Sequence, residues 1–187
     1  MIKRIVLGAL ALAALGALLA ATTSAGAPLA FAKAKPGFLP GVWIGKGTIS
    51  GQTVDGPITS TFSGGVTFTL EVAWGGAVTG SGRWNMKLVG VDSDPENGIN
   101  SQLTGSAALE LGGTATEVTF EGSERVVGQV TLYGKSRPIN LQRENTRRGR
   151  LVIGRAGKCR VSGVAPIQPG VTLAWSAQLE GSGTCNA

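Results

Sequence analysis

From Gly41 onward apolar and polar side chains alternate with a period of two, and that alternation decides the fold class. Val66, Phe68, Leu70 and Val72 interleave with Thr67, Thr69 and Glu71. Val78, Gly80, Gly82, Trp84, Met86 and Leu88 interleave with Thr79, Ser81, Arg83, Asn85 and Lys87. The same rhythm returns at Val126, Gly128, Val130 and Leu132, and at Val171, Leu173, Trp175, Ala177 and Leu179. A strand with one face in a core and one in water has this pattern; a helix would repeat every 3.6 residues. No stretch of helical periodicity breaks the series after residue 40.

Turn signals punctuate the runs at short intervals: Ser63-Gly64-Gly65, Gly75-Gly76, residues 92–98, Gly112-Gly113, residues 144–149 and residues 166–170. Connections this short suit antiparallel hairpins, since parallel strands need a crossover of a dozen residues or more. Glycines at core-facing parity inside strands (Gly80, Gly82, Gly128) mark sharp bends or close approaches. The expected architecture is therefore all-β: an antiparallel up-and-down β-barrel of about 8–10 strands, with a β-sandwich as the alternative.

The N-terminus follows a different logic. Lys3 and Arg4 precede an apolar run over residues 5–21, and Thr22-Thr23-Ser24 and further small residues follow. Basic start, apolar middle and small-residue end are the order of a secretory signal, here expected as a helix. Ala30-Phe31-Ala32 ahead of Lys33 gives one cleavage pattern, and Thr23-Ser24-Ala25 ahead of Gly26 gives another. An uncleaved membrane anchor is the alternative, though the run is short of the roughly 20 residues of a spanning helix. The expected division is a signal peptide at 1–32, an extended leader at 33–40 and a single β-domain at 41–187. The leader's Pro36, Gly37 and Pro40 deny it helix.

Export changes how the rest is read. Lys3 and Arg4 leave with the signal, so the net charge of +6 falls by two, to +4. That surplus is compatible with a polyanionic partner without demanding one. Cys159 and Cys185 are the chain's two cysteines. In an oxidising compartment an even count favours a bridge between them. Closing a loop of about 26 residues contributes roughly 3 kcal/mol in the chain-entropy picture.

Gly41-Val42-Trp43 opens the first strand after the extended leader. Gly-x-Trp in this place, with the rhythm of residues 68–72 and Gly76 to Gly80, resembles the calycin group of lipocalin- and avidin-type barrels. The resemblance implies an up-and-down barrel in which Trp43 closes one end and the cavity or rim binds a ligand. Neither the later lipocalin signatures nor a biotin-site pattern is present, so no binding residue follows from it.

The sequence contains no histidine. That removes Ser-His-Asp and Cys-His nucleophile sets, histidine general bases and histidine-held metals. Phosphate-cradling and nucleophile-elbow motifs are absent too. Carboxylate pairs survive as a chemistry: Glu117 and Glu121 share a strand side but stand roughly 13 Å apart, too far for a glycosidase pair, leaving cross-strand partners such as Glu71 or Glu110.

Three clusters are candidate contact sites. Asp92, Asp94 and Glu96 concentrate oxygen ligands in the manner of a calcium loop, although the same residues suit a polar turn. Arg143, Arg147, Arg148 and Arg150 form a dense basic run, continued by Arg155, Lys158 and Arg160. Arg147-Arg148-Gly149-Arg150 is expected at a hairpin tip, where guanidinium forks suit phosphate, sulfate or carboxylate groups. Of the tryptophans, Trp43, Trp84 and Trp175 have core parity, while Trp74 sits beside a glycine turn; all four are candidate ligand or partner contacts.

The expected protein is thus an exported, non-enzymatic binder without a cofactor. It takes a small apolar ligand in its mouth or a protein partner, such as a secreted enzyme, at its rim. A structural envelope protein touching polyanionic wall material through the arginines is the second reading. A nucleic-acid partner is not expected, because aromatic interleaving of the basic run is missing. Contact with the membrane is expected only through the signal before cleavage, since outward strand positions carry Thr, Glu, Arg and Lys where lipid needs apolar groups.

Overall fold

The computed structural model describes residues 37–94 and 98–181, without the side chains of 143–147. The expected signal helix and most of the leader fall outside them. Nine strands lie among the described residues: β1 (Gly41–Asp55), β2 (Ile58–Val72), β3 (Ala77–Asp92), β4 (Ile99–Thr114), β5 (Glu117–Leu132), β6 (Lys135–Leu151), β7 (Arg155–Ala156), β8 (Arg160–Gln168) and β9 (Val171–Leu179). All pair antiparallel in one sheet of order β6-β5-β4-β3-β2-β1-β9-β8-β7. The all-β expectation holds, and the first six strands run as a plain up-and-down meander.

Period-two burial follows each strand. Along β2, Phe62, Val66, Phe68, Leu70 and Val72 are buried while Thr61, Thr67, Thr69 and Glu71 face water. The buried faces of β1 to β6, β8 and β9 meet in one apolar cluster built around Trp43, Trp84, Trp175, Phe68 and Leu173. Each large side chain so buried contributes about 1.5–3 kcal/mol.

Glycines shape the curl. Gly45 on β1 stands directly opposite Phe68 on β2, and the phenyl ring covers it where a side chain would sit. Gly149 on β6 stands under Phe120 on β5 in the same way. An aromatic laid over a cross-strand glycine fills the core at a point where the backbone bends. Gly64, expected in a turn with Ser63 and Gly65, instead lies inside β2. There a Cβ would collide with the Asn85 carbonyl of β3, so the glycine marks a close approach of strands and not a reversal.

The sheet does not close, which corrects the expected barrel; being a single sheet, it is not a sandwich either. Strands β1 to β6 run 15–17 residues, whereas β8 and β9 have only 9 each. Of the short pair, β9 follows β1 from Trp43 to Gly51 and β8 lies outside it. The chain crosses from β6 to β7 over residues 152–154, where Gly154 donates its N–H to the Ser162 carbonyl at 2.9 Å. At that end the two margins of the sheet meet. At the other end, residues 52–55 of β1 extend past the ladder with β9.

At the meeting end, residues 37–40 cross the opening. The Phe38 amide donates to the Ala115 carbonyl at 2.8 Å, and its ring packs edge-on against Trp43 and stacked on Trp175. Trp43 Nε1–H in turn donates to the Leu39 carbonyl at 2.8 Å.

Candidate functional site

Burial sorts the four tryptophans. Trp43, Trp84 and Trp175 are buried in the core, so as they stand they are not surface contacts. Trp74 is 94% exposed. It occupies the β2–β3 turn, whose backbone is tied by Ala73 N–H to Ala77 O (2.9 Å) and Gly76 N–H to Ala73 O (2.8 Å). A third bond, Ala115 N–H to Gly76 O at 2.8 Å, fastens this turn to the β4–β5 turn. The indole is thus displayed on a fixed backbone.

The arginine run is not a hairpin tip. Arg147, Arg148, Gly149 and Arg150 belong to β6, because Gly149 packs beneath Phe120 and the ladder to β5 continues to Leu151. Alternation then turns Arg148 and Arg150 to the outer face beside the glutamates of β5. Arg148 Nε lies 3.5 Å from Glu121, and Arg150 Nη1 lies 3.2 Å from Glu117. Arg143 is in register with Glu124 and Arg147 with Gly122; their side chains fall outside the described residues. Two of the four expected polyanion contacts are therefore engaged with carboxylates of their own chain, in exposed pairs that contribute little to stability.

Asp92 has a different task from the expected one. Its carboxylate accepts hydrogen bonds from the Asp94 amide (2.9 Å) and the Ile99 amide (3.0 Å), one on each oxygen. These bonds, the one from Asp94 first, hold its pKa below the ordinary value, against an opposing effect of burial. Both oxygens thus shape the β3–β4 loop; Glu96, the third expected calcium ligand, lies outside the described residues. Among the described residues no group of three acidic or cysteine side chains is placed to hold a metal ion. Cys159 sits half-buried just before β8, with its carbonyl accepting from the Leu179 amide at 3.0 Å. Its expected partner Cys185 falls outside the described residues.

Strand register assembles one site that lies far apart in sequence. A groove of about 900 Å³ runs over the outer face of β3, β2, β1 and β9. One transverse row reads Arg83, Thr67, Lys46, Ser176, and the next reads Ser81, Thr69, Ile44, Gln178, Arg160. Arg83 and Lys46 stand two strands apart, about 10 Å, with a hydroxyl between them. Residues on four or five strands contribute, so only the pairing register could have revealed the row. A smaller groove of about 370 Å³ on β4, β5 and β6 puts Glu110 directly opposite Glu121, with Arg148 beside them offsetting the like charges.

Glu124 was missed in the sequence. It is 2% exposed, on the inner face of β5, and Gly105 on β4 leaves it room: a Cβ there would lie 2.6 Å from Oε1. The readable signal was an acid at the parity of Val118, Phe120 and Val126.

No protein family, no curated protein and no solved structure matches this chain.

Proposed function

We propose that this chain is an exported, non-enzymatic binding protein that engages a protein partner at its surface, with Trp74 as the anchor. Trp74 carries the reading. Three of four tryptophans are buried in the core, and the fourth stands in water on a turn held by three backbone bonds. Exposing so large an apolar side chain on a fixed backbone suits an interface, where tryptophan is a preferred hot-spot residue. The apolar centre, occupied by Trp43, Trp84, Trp175 and Leu173, leaves the small-ligand reading without support in that part of the core. Export through residues 1–32 and a Cys159–Cys185 bridge belong to this reading; intact mass before and after reduction and alkylation tests the bridge. The up-and-down order of β1 to β6 is what a calycin-type chain would have.

The test is capture of secreted proteins of the native host on the immobilised mature chain, then titration of the purified partner. Trp74→Ala should weaken binding about thirtyfold, as loss of a hot spot near 2 kcal/mol does, with an unchanged melting curve. Equal affinity for the variant overturns the reading.

The basic groove favours a second reading, polyanionic wall material lying across Arg83, Lys46 and Arg160 instead of the β6 arginines. It makes the same assay come out differently. Isolated wall polymer would be retained, retention would fall with salt, reversing Lys46 and Arg83 to Glu would abolish it, and Trp74→Ala would leave it unchanged.

A further inference from the structure

We propose that the free edge of β6, from Lys135 to Gln142, takes up an extended strand from a partner protein. The partner strand's inward-facing side chains would be acidic at the end beside Lys135 and Arg137 and apolar at the end beside Ile139 and Leu141. The inference rests on the protein-partner reading and gives that partner a backbone conformation.

Three observations converge on this edge. Among the described residues, β6 is hydrogen-bonded on one side only, to β5, and the sheet ends there. Its backbone amides and carbonyls on the other side form a row that another strand can pair with. Second, the inner face along the edge is apolar at Ile139 and Leu141 and incompletely covered there. Ile139 and Val126 are half-buried there, and Leu141 remains 38% exposed. A strand laid along β6 would set alternate side chains onto Ile139 and Leu141 and cover them.

Charge selects the partner. Register puts Lys135 and Arg137 on the same inner face as Ile139 and Leu141, since they stand opposite Leu132, Val130, Gly128 and Val126 of β5. Cross-strand pairs of opposite charge stabilise a ladder, and like charges oppose it. An incoming strand with acids beside Lys135 and Arg137 and apolar side chains beside Ile139 and Leu141 is therefore favoured. A second copy of β6 would bring further cations, and Pro138 removes one donor from the row.

The probe is a short synthetic peptide alternating Thr with Glu, Glu, Val and Val. Controls are the same peptide with Lys for Glu, and a version N-methylated at alternate residues so that it cannot donate to the edge. In the free protein the Arg137, Ile139 and Leu141 amides are bonded to β5, so hydrogen exchange resolved by residue should show rapid exchange at the outward amides of Ser136, Asn140 and Gln142. The acidic peptide should slow them about tenfold or more, less so in high salt, and neither control should do so. The paired variant Lys135→Glu with Arg137→Glu should invert the choice between acidic and basic peptides.

Absence of slowing, or equal slowing by the basic or N-methylated peptide, overturns the inference. So does protection of the Ser136, Asn140 and Gln142 amides in the free protein, or a dimer in light scattering that protects them as concentration rises. Partner capture that depends on Trp74 with no effect at β6 would leave the protein-partner reading standing and remove this one. Peptide binding at β6 without any captured partner would do the reverse.

Discussion

The β3–β4 loop is shaped by one carboxylate, and its charge makes the loop sensitive to acid. Asp92 accepts from the Asp94 and Ile99 amides, and Gly98 passes so close that any Cβ would strike the Asp92 side chain. The folded pKa lies below the unfolded one, so these bonds stabilise the fold fully at pH values above the ordinary 3.8. The contribution is lost as pH falls through the depressed folded value. Asp92→Asn removes the charge and turns one of the two acceptor oxygens into a donor. Its melting temperature should fall below that of the unaltered chain at neutral pH, and the gap should close well below 3.8. A gap that persists unchanged into acid would mean that the second acceptor oxygen, and not the charge, holds the loop.

At the scale of an element, the β5–β6 hairpin carries strain that a single substitution can release. Leu132 pairs with Lys135, so Tyr133 and Gly134 are the whole turn, with φ of 51° and 70°. Both residues of such a tight turn are left-handed, a conformation that suits Asn and Gly and costs a tyrosine about 1 kcal/mol. Tyr133 is exposed, so little packing is lost when it is replaced. Tyr133→Asn should raise the melting temperature by about 2–4 °C, read by calorimetry. No change, or a loss, would mean that the ring contributes more than the strain costs. The same hairpin shows why much of the fold was legible and some of it was not. Alternation placed Val126, Gly128 and Val130 on one face of a strand, because burial on one side leaves a period of two in any sequence. The turn at Tyr133 and Gly134 was not among the expected ones, since a turn opened by a tyrosine carries a weak signature. Gly64 and Gly149 misled in the opposite sense, as a glycine under a neighbouring backbone or ring looks in sequence like one in a turn. Trp74 could be read because two glycines follow it and mark a turn. The Arg83–Lys46 row depended on pairings between strands, which no local pattern encodes.

Across the whole molecule, an open sheet must still seal the ends of its core, and at one end residues 37–40 do so. Phe38 is buried against Trp43 and Trp175, its amide holds the β4–β5 turn, and the Leu39 carbonyl receives the Trp43 indole N–H. The segment therefore joins both turns and strands that are otherwise distant along the sheet. If this plug belongs to the cooperative unit, Phe38→Ala should cost about 3–5 kcal/mol, the range for truncating a buried phenyl group. It should also admit water to two indoles. The exposed Trp74 would dominate the emission of the unaltered chain, so the comparison is cleaner in a Trp74→Phe background. There Phe38→Ala should shift tryptophan emission to the red while the denaturant midpoint falls with its slope unchanged. A red shift without loss of global stability would show instead that the leader opens by itself, and that the sheet holds its core without it.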